Sequence, residues 1–246
     1  MTESVHLIFG ATGGIGSALA RELAGAGATV VAVGRNTDKL TCLAQEVGVM
    51  PLTADGTRLA EVEGVVASVM DRHGRLDGVA NCIGSLLLKP AHLTTETEWT
   101  EVLSVNLTSS FLILRTAAKA MMNAGGGSIV LTSTAAVRLG LANHEAIAAA
   151  KGGVEGLVRA AAASYAHKNV RINAVAPGLT QTPLTSRLTS HQTSLKASLA
   201  LHALGRIGTP DEVARAMAFL LNPQQSWITG QILGVDGGLS SVRSRS

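Results

Sequence analysis

The hydrophobic positions along the chain follow two patterns that alternate from end to end. Short runs are apolar at nearly every position, which is typical of strands buried on both faces of a parallel sheet. Longer segments carry apolar residues three and four positions apart, which predicts helices with one buried face. The strands are predicted at residues 5–9, 29–33, 49–53, 78–83, 128–132, 170–175 and 231–235. The helices are predicted at residues 15–26, 38–47, 59–73, 96–123, 145–166 and 210–221.

Alternating strands and helices predict βαβ units with right-handed crossovers. The expected fold is therefore α/β, with a doubly wound, parallel sheet of roughly seven strands. Neither a repeat nor a low-complexity linker divides the chain, so residues 1–246 are expected to form a single domain. The polar residues 240–246 are expected to form a loose C-terminal tail.

A glycine-rich turn follows the first predicted strand, and a helix follows the turn at once. Gly10, Gly14 and Gly16 of GATGGIG stand in a G-x-x-x-G-x-G arrangement, with Thr12 and Ile15 between them. The first glycine permits a tight turn, the second a close approach to a pyrophosphate, and the third close packing of helix and sheet. Glycines of an ordinary turn are the alternative. The flanking strand and helix favour a Rossmann-type dinucleotide site.

The second predicted strand ends in Gly34-Arg35. An enzyme that prefers NAD usually places an acid here for the ribose 2′-hydroxyl, and this sequence has none. A guanidinium can instead bind the 2′-phosphate of NADP through two charge-assisted hydrogen bonds. Arg35 therefore favours NADP(H), with NAD(H) as the alternative cofactor. A solvated arginine past a strand end is the other interpretation.

Further motifs follow in the order typical of the short-chain dehydrogenase/reductase family, so the chain resembles this family over nearly its whole length. The matching positions are Asp55, Asn81 and Gly84 in NCIG, Asn106 in VNLTSSF, Pro177, Gly178 and Thr182 in PGLTQT, and the stretch from LGRIGTPDEV to VDGG. The resemblance implies that Asp55 contacts the adenine ring and that Asn106 helps to hold a proton-relay water. It also implies that residues 177–182 contact the nicotinamide. Cys82 departs from the family's N-N-A-G pattern.

The family's catalytic element is Y-x-x-x-K on a helix, with a serine upstream. The matching stretch here is IAAAK, in which Lys151 is retained and Ile147 stands where the tyrosine belongs. The family's spacing puts Thr134 at the serine position, with Ser133 beside it, and either hydroxyl can donate to a carbonyl oxygen. The resemblance implies that Lys151 binds the nicotinamide ribose. The alkyl side chain of Ile147 has no proton to donate.

His144 is a candidate for the missing proton donor. Helical spacing places His144, Ile147 and Lys151 on one stripe at i, i+3 and i+7. Helical side chains lean toward the N-terminus, so a tyrosine at position 147 would project near the imidazole. A surface histidine is the alternative, since Asn143 is a candidate N-cap of this helix. The single tyrosine, Tyr165, lies about 27 Å farther along the helix and is too remote.

The segment 184–204 mixes hydroxyls and leucines with His191 and Lys196. It resembles the family's substrate lid, and a surface excursion is the alternative. The helix 145–166 and the last strand resemble the family's subunit contacts. This resemblance implies a homotetramer, or a mixed tetramer with a homologous subunit of the same family.

Composition narrows the partners and the location. The formal net charge is +3, and the 20 Lys and Arg are scattered, so nucleic acid is not an expected partner. Cys42 and Cys82 lack the spacing of a metal site, so neither a disulfide nor a metal is expected. No stretch reaches membrane-spanning length and no signal peptide is visible. A cytoplasmic location without membrane contact is therefore expected.

Two functions are open at this point. The first is an NADP(H)-dependent oxidoreductase that acts on an alcohol or carbonyl compound of low molecular mass, with Asn106, Thr134 and Lys151 retained and an unusual proton donor. The second is a catalytically impaired, dinucleotide-binding homologue that serves as a non-catalytic or regulatory subunit. Ile147 favours the second function, whereas the cofactor motifs and the otherwise intact site support the first, which is the preferred hypothesis.

Overall fold

The computed structural model describes residues 4–243. The strands within this range are β1 Val5–Phe9, β2 Thr29–Gly34, β3 Met50–Thr53, β4 Gly78–Asn81, β5 Gly127–Thr132, β6 Val170–Pro177 and β7 Ile232–Val235. The helices within it are α1 Gly14–Gly25, α2 Thr37–Val47, α3 Leu59–His73, α4 Glu96–Leu103, α5 Ser109–Asn123, α6 Glu145–Tyr165, α7 Ser186–Ser190, α8 Gln192–Leu201 and α9 Pro210–Leu221. Over residues 4–243 the strands form one parallel sheet, in the order β3-β2-β1-β4-β5-β6-β7. The predicted fold class, a single α/β domain with a doubly wound sheet, is confirmed.

The central strands are largely apolar because helices cover both faces of the sheet. Every residue of β1 is buried, and successive side chains enter opposite cores. Leu7 and Phe9 pack in the core under α3, α5 and α6, whereas Ile8 packs in the core under α1, α2 and α9. A sheet that is buried on both faces does not show the apolar–polar alternation of a sheet with one wet face.

The order of the strands reverses at the centre of the sheet. β1 and β4 are neighbours, but β2 and β3 lie on one side of them and β5, β6 and β7 on the other. Loops diverge at such a reversal and leave a crevice outside the carboxyl ends of the strands. The two segments that border the crevice touch, since the Cys82 N–H donates to the Phe9 carbonyl oxygen at 2.8 Å. The fold therefore predicts a binding site at this edge.

The single helix predicted over residues 96–123 is wrong. A π-helical turn, Ser104–Thr108, separates α4 from α5. Such turns insert an extra residue into a helix and are frequent at functional sites. This one carries Asn106, which is fully buried. The apolar pattern does not reveal the turn, because α4 and α5 keep the same period on either side of it.

The structure also describes the predicted lid and part of the predicted C-terminal tail. Residues 184–204 include α7 and α8, so the segment has helical structure of its own. In the predicted tail, the Ser240 N–H donates to Oδ2 of Asp236 at 2.9 Å, and residues 244–246 lie outside the described range. Among residues 4–243, no helix combines the length and the apolarity needed to span a bilayer.

Candidate active site

Two of the cavities at the carboxyl ends of the strands carry most of the predicted site residues. The first, of about 220 Å³, is bounded by the segments that follow β1 to β4. The second, of about 320 Å³, is bounded by the segments after β5 and β6 and by the lid. The predicted site residues on the first cavity are Gly10, Thr12, Arg35, Asp55 and Gly84. Those on the second are Thr134, His144, Ile147, Pro177 and Gly178.

The turn after β1 depends on glycine at two positions. Gly10 has a φ of +75°, in the left-handed region that favours glycine. A Cβ on Gly16 would overlap the carbonyl oxygen of Gly10, so α1 packs this closely against the turn only with glycine there. Both geometries agree with the roles predicted for these glycines. Thr12 lines the first cavity, and Ile15 packs against the core under α1.

Gly14 is constrained by a neighbour that the sequence did not indicate. A Cβ on this residue would lie 2.8 Å from Cγ2 of Thr182, in the loop after β6. Thr182 precedes the short 3-10 helix Pro183–Thr185, and its N–H donates to Oγ1 of Thr185 at 3.1 Å. The absence of a side chain at Gly14 therefore lets the loop predicted to hold the nicotinamide lie against the start of α1.

Two charged side chains lie at the far end of the first cavity. Arg35 is exposed, and within residues 4–243 its guanidinium makes neither a hydrogen bond nor an ion pair. Asp55 accepts hydrogen bonds from the N–H and the hydroxyl of Thr57, at 2.9 and 2.7 Å. Burial opposes the charged form of Asp55, but these hydrogen bonds and the nearby Arg35 hold its pKa below the usual value. The cavity thus offers a carboxylate and an uncommitted guanidinium.

A buried hydrogen-bond network connects β4 to the π-helical turn. Asn81 donates through Nδ2 to Oγ of Ser110 at 3.0 Å, and the Ser110 hydroxyl donates to the Asn106 carbonyl oxygen at 3.0 Å. The Asn106 side chain donates to Oγ of Ser85 at 2.9 Å and accepts from its N–H at 3.2 Å. Since these groups are satisfied by one another, the network holds residues 81–85 in a fixed position beside the crevice.

The Lys151 ammonium lies at the base of the crevice. Its Nζ donates to the Thr132 carbonyl oxygen at 2.8 Å, and Thr132 in turn donates through Oγ1 to the Asn81 carbonyl oxygen at 2.7 Å. The side chain is nearly fully buried. Burial lowers the pKa of Lys151 to about 8, and the nearby Cys82 opposes this shift. The residue is therefore an ammonium that is close to losing its charge at mildly alkaline pH.

Of the two neighbouring hydroxyl residues after β5, only one lines the second cavity. Ser133 is buried and donates to Oε1 of Glu155 at 3.1 Å. Thr134 is half-buried and lines the cavity. Of the two residues, Thr134 is therefore the one that borders the second cavity.

The second cavity has an apolar wall with a few polar groups. Its leucines are Leu86, Leu88, Leu141, Leu179, Leu188, Leu201 and Leu239. Its polar side chains are Thr134, His144, Thr185, Ser198 and His202. Among residues 4–243, no Lys, Arg, Asp or Glu lines it. Such a lining fits a molecule that is uncharged and largely apolar.

His144 and Ile147 lie together on the second cavity, one helical turn apart. The predicted Asn143 N-cap is wrong, because His144 is itself the N-cap and Asn143 has a φ of +65°. The His144 Nδ1 lies 2.8 Å from the Ala142 carbonyl oxygen. A carbonyl only accepts, so Nδ1 carries a hydrogen and Nε2 is left for another partner. Ile147 is 4% exposed and presents only an alkyl surface.

Comparison with known proteins decides the family. A family model described as Enoyl-(Acyl carrier protein) reductase matches residues 10–240. Cis-4-hydroxycyclohexanecarboxylate dehydrogenase of Sinomonas cyclohexanicum is 38% identical over 248 residues, covering 98% of each chain. The 3-oxoacyl-(acyl-carrier-protein) reductase of Thermotoga maritima is 35% identical over 242 residues, covering 96% of this chain and 97% of that protein. The chain belongs to the short-chain dehydrogenase/reductase family.

The fold comparison agrees with this assignment to the short-chain dehydrogenase/reductase family. The crystal structure of an actinorhodin polyketide ketoreductase variant with NADPH has a TM-score of 0.92 to this chain at 29% identity, covering 98% of this chain and 97% of that one. The two relatives above are named as a dehydrogenase and a reductase, and the family resemblance stated from the sequence motifs is confirmed. Tyr165 ends α6, packs against the core and lines neither of the two cavities.

Sequence reasoning missed three residues that organise the site of this short-chain dehydrogenase/reductase. Ser110 stands one helical turn after Asn106, a spacing that could have indicated it. Thr132 ends a predicted strand and is recognisable only once Lys151 and Asn81 are known to lie beside it. His202 lines the second cavity and accepts a hydrogen bond from Leu179, which lies 23 residues earlier in the chain. It belongs to no recognisable motif, so no local signal indicated it.

Proposed function

We propose that this protein is an NADP(H)-dependent oxidoreductase that interconverts an uncharged, largely apolar carbonyl compound and its alcohol. The observation that carries the proposal is the pairing of the two cavities at one edge of the sheet. One has a glycine turn, a carboxylate and a free guanidinium, and the other an apolar wall with hydroxyl and imidazole groups. The first cavity suits a dinucleotide, and the second cavity suits the substrate that reacts with it.

The residues of the first cavity fit NADP(H). The N–H groups at the start of α1 favour a pyrophosphate, and the glycines leave its approach open. Asp55 stands where the adenine ring would lie, and Arg35 has no protein partner among residues 4–243, which leaves it free for a 2′-phosphate. NAD(H), which lacks this phosphate, would bind more weakly. When bound, the dihydronicotinamide supplies the hydride.

Lys151 and Asn106 act on the cofactor side of the proposed reaction. Lys151 is held by Thr132 at the base of the crevice, where its ammonium can donate to the ribose hydroxyls. Asn106 fixes the adjoining segment through Ser85, and we assign it a place beside the relay water that the family resemblance implies. Pro177, Gly178 and Thr182 form the loop that would hold the nicotinamide against the second cavity.

Thr134 and His144 act on the substrate side. The Thr134 hydroxyl would donate a hydrogen bond to the carbonyl oxygen and hold it in place. As an imidazolium, His144 keeps its Nδ1 hydrogen bond to Ala142 and has a second N–H, at Nε2, to give. In reduction, the carbonyl carbon gains the hydride while the oxygen takes this proton. In this proposal His144 donates the proton that the alkyl side chain of Ile147 cannot supply.

The activities for which the relatives are named agree with a carbonyl or alcohol substrate, but their substrates differ in charge. One relative is named for a cyclohexanecarboxylate and another for an acyl group on a carrier protein. Among residues 4–243, no Lys or Arg lines the second cavity to pair with a carboxylate, and the proposed imidazolium of His144 loses its charge when it gives up the proton. We therefore propose an uncharged substrate, because a buried carboxylate without a lasting partner would be costly.

We further propose a tetramer, either of identical subunits or with a homologous subunit, located in the cytoplasm. Large apolar side chains are exposed on three parts of the surface: Trp99 and Phe111 on α4 and α5, Phe219 on α9, and Trp227 and Leu233 near β7. Trp227 is 99% exposed in the single chain. Burying such residues across two-fold axes would stabilise an assembly. Light scattering that reports a monomer at micromolar concentration would contradict it.

The second candidate function, a dinucleotide-binding subunit without turnover, is favoured by Ile147 alone. The deciding experiment is a steady-state assay with NADPH on matched pairs, such as cyclohexanone and 4-oxocyclohexanecarboxylate. We expect kcat/KM at least tenfold higher for the uncharged ketone, about 1.4 kcal/mol. Tight NADPH binding with no carbonyl reduced, by the wild type or by Ile147→Tyr, would refute the oxidoreductase and favour the binding subunit.

A further inference from the structure

His202 connects the lid to the body of the protein. It follows α8 directly and is 4% exposed. It lines the second cavity. It also lines a neighbouring cavity of about 250 Å³, bounded by the segment after β7 and the start of α9. A single imidazole therefore forms part of the wall between two open spaces.

The hydrogen bonds of His202 define its tautomer. Nδ1 lies 2.7 Å from the Ser198 carbonyl oxygen, and a carbonyl only accepts, so Nδ1 carries the hydrogen. The Leu179 backbone N–H donates to Nε2 at 3.2 Å, so Nε2 carries none. Both nitrogens of the neutral imidazole are used, one as donor and one as acceptor.

The two partners belong to different parts of the molecule. Ser198 lies in α8, the longer lid helix, whereas Leu179 lies just beyond β6 in the loop proposed to hold the nicotinamide. Close packing reinforces the connection, because a Cβ on Gly178 would stand 2.7 Å from Nε2 of His202. The ring is thus held against the backbone of the loop as well as hydrogen-bonded to it.

The connection borders the substrate space. Leu179, Ser198 and His202 all line the second cavity, and Leu188 and Leu201 of the lid face the same cavity. If the lid moved away from the loop after β6, these apolar side chains would no longer enclose it. The position of α8 relative to Leu179 therefore sets the shape of the cavity.

We propose that His202 is a positioning residue that joins α8 to the loop after β6 and thereby sets the affinity of the second cavity for its substrate. The role of that cavity rests on the proposed function. The joint itself is a property of the fold, and hydrogen exchange can measure it without turnover. The hydrogen bond to Leu179 is the one that crosses between the two parts, since Ser198 is on the same segment as the ring.

Two amide substitutions separate the two hydrogen bonds. In His202→Asn, Nδ2 can replace the Nδ1 donor to Ser198, but the shorter side chain does not reach Leu179. In His202→Gln, Oε1 can replace Nε2 as the acceptor for Leu179. The experiment measures hydrogen exchange at the backbone amides of Leu179 and α8 in the NADPH-bound protein. It also measures kcat and KM for a carbonyl compound that the protein reduces. His191→Asn is the matched control, since it changes an exposed histidine of the same lid.

The proposal expects faster exchange and a KM raised about tenfold in His202→Asn, with kcat changed less than about threefold and NADPH affinity retained. It expects His202→Gln and His191→Asn to resemble the wild type. Equal exchange in the wild type and His202→Asn would overturn the proposal, whether or not turnover is detected. A fall in kcat at constant KM would also overturn it, because the ring would then act on the reaction rather than on the cavity. Absence of turnover in every protein would refute the proposed function, while the exchange data would still decide the role of His202.

Discussion

The two cavities are built in contrasting ways. The first is formed largely by backbone: its turn relies on Gly10 and Gly16, and its strand ends are locked by the network around Asn81. The second is lined mainly by side chains, some of them on the lid helices, and His202 connects the lid to the loop after β6. A dinucleotide presents the same phosphates and sugars to every protein, so a backbone cradle serves it. A substrate site formed by side chains can change its lining without disturbing that cradle.

The variant His144→Ala should distinguish the roles of the two cavities most clearly, because we expect it to lower kcat without changing NADPH affinity. Loss of the proton donor should lower kcat for carbonyl reduction by about 100- to 10,000-fold, because general acid catalysis contributes on this order. NADPH affinity, measured by calorimetric titration, should be unchanged, since His144 does not line the first cavity.

The Ile147→Tyr change provides the control for this loss. Added to His144→Ala, it places a phenol one helical turn before Lys151 and should recover at least about tenfold of the lost kcat. Wild-type activity in the single His144→Ala variant would show that the proton comes from elsewhere.

The next largest effect is expected at Gly16, on the cofactor side. The Cβ of Gly16→Ala would meet the carbonyl oxygen of Gly10, so either the turn or α1 must shift. We expect a loss of about 1–3 kcal/mol in the free energy of unfolding, and weaker NADPH binding. Gly64→Ala is the control, because Gly64 lies in α3 with open space around its Cβ position and alanine is the better helix former. Chemical denaturation should rank the control at or above the wild type. Equal stability of the two variants would mean that the turn is less rigid than described.

A smaller effect is expected from Arg35, which should distinguish the two nicotinamide cofactors. The wild type should bind NADPH at least tenfold more tightly than NADH, about 1.4 kcal/mol, and Arg35→Asp should reverse this order. Arg72→Asp makes the same charge change on an exposed residue at the end of α3 and should leave the order intact. Titration calorimetry with both cofactors is the measurement. Equal affinities in the wild type would contradict the role of Arg35.

The smallest effect is expected in the pH dependence of cofactor binding. Burial lowers the pKa of Lys151 to about 8, so the ammonium that attracts an anionic cofactor predominates below pH 8 and is lost above it. NADPH affinity should therefore be flat at neutral pH and fall by up to about tenfold by one pH unit above the pKa. Lys151→Met should bind more weakly at neutral pH and should lack this fall. Substrate KM should not follow the same curve, since Lys151 does not line the second cavity. Identical curves for the wild type and Lys151→Met would remove the residue from cofactor binding.

Sequence reasoning succeeded where local pattern and covalent neighbours decide the structure. The period of the apolar residues located the strands and helices, and the glycine spacing located the turn that lies on the first cavity. It failed where the structure depends on contacts between distant segments. Nothing local marks Gly14 as a neighbour of Thr182, or His202 as a partner of Leu179. The Asn143 error has the same origin, because Asn143 adopts a φ of +65° and its carbonyl oxygen accepts a hydrogen bond from the N–H of the distant Lys89 at 2.8 Å.

The π-helical turn fixes the angular phase of everything that follows it in α5. Each helical residue advances the side-chain direction by about 100°, so one residue more or less turns a whole helix by that angle. Deleting Leu107 would rotate Ile113 and Leu114 away from the core and carry Ser110 away from Asn81. If the same residues formed one unbroken α-helix, the helix could either bury its apolar residues in the core or form the hydrogen-bond network with Asn81. It could not do both. Insertions and deletions should therefore be poorly tolerated between 104 and 108 and well tolerated just beyond Asn123, where the helix has ended.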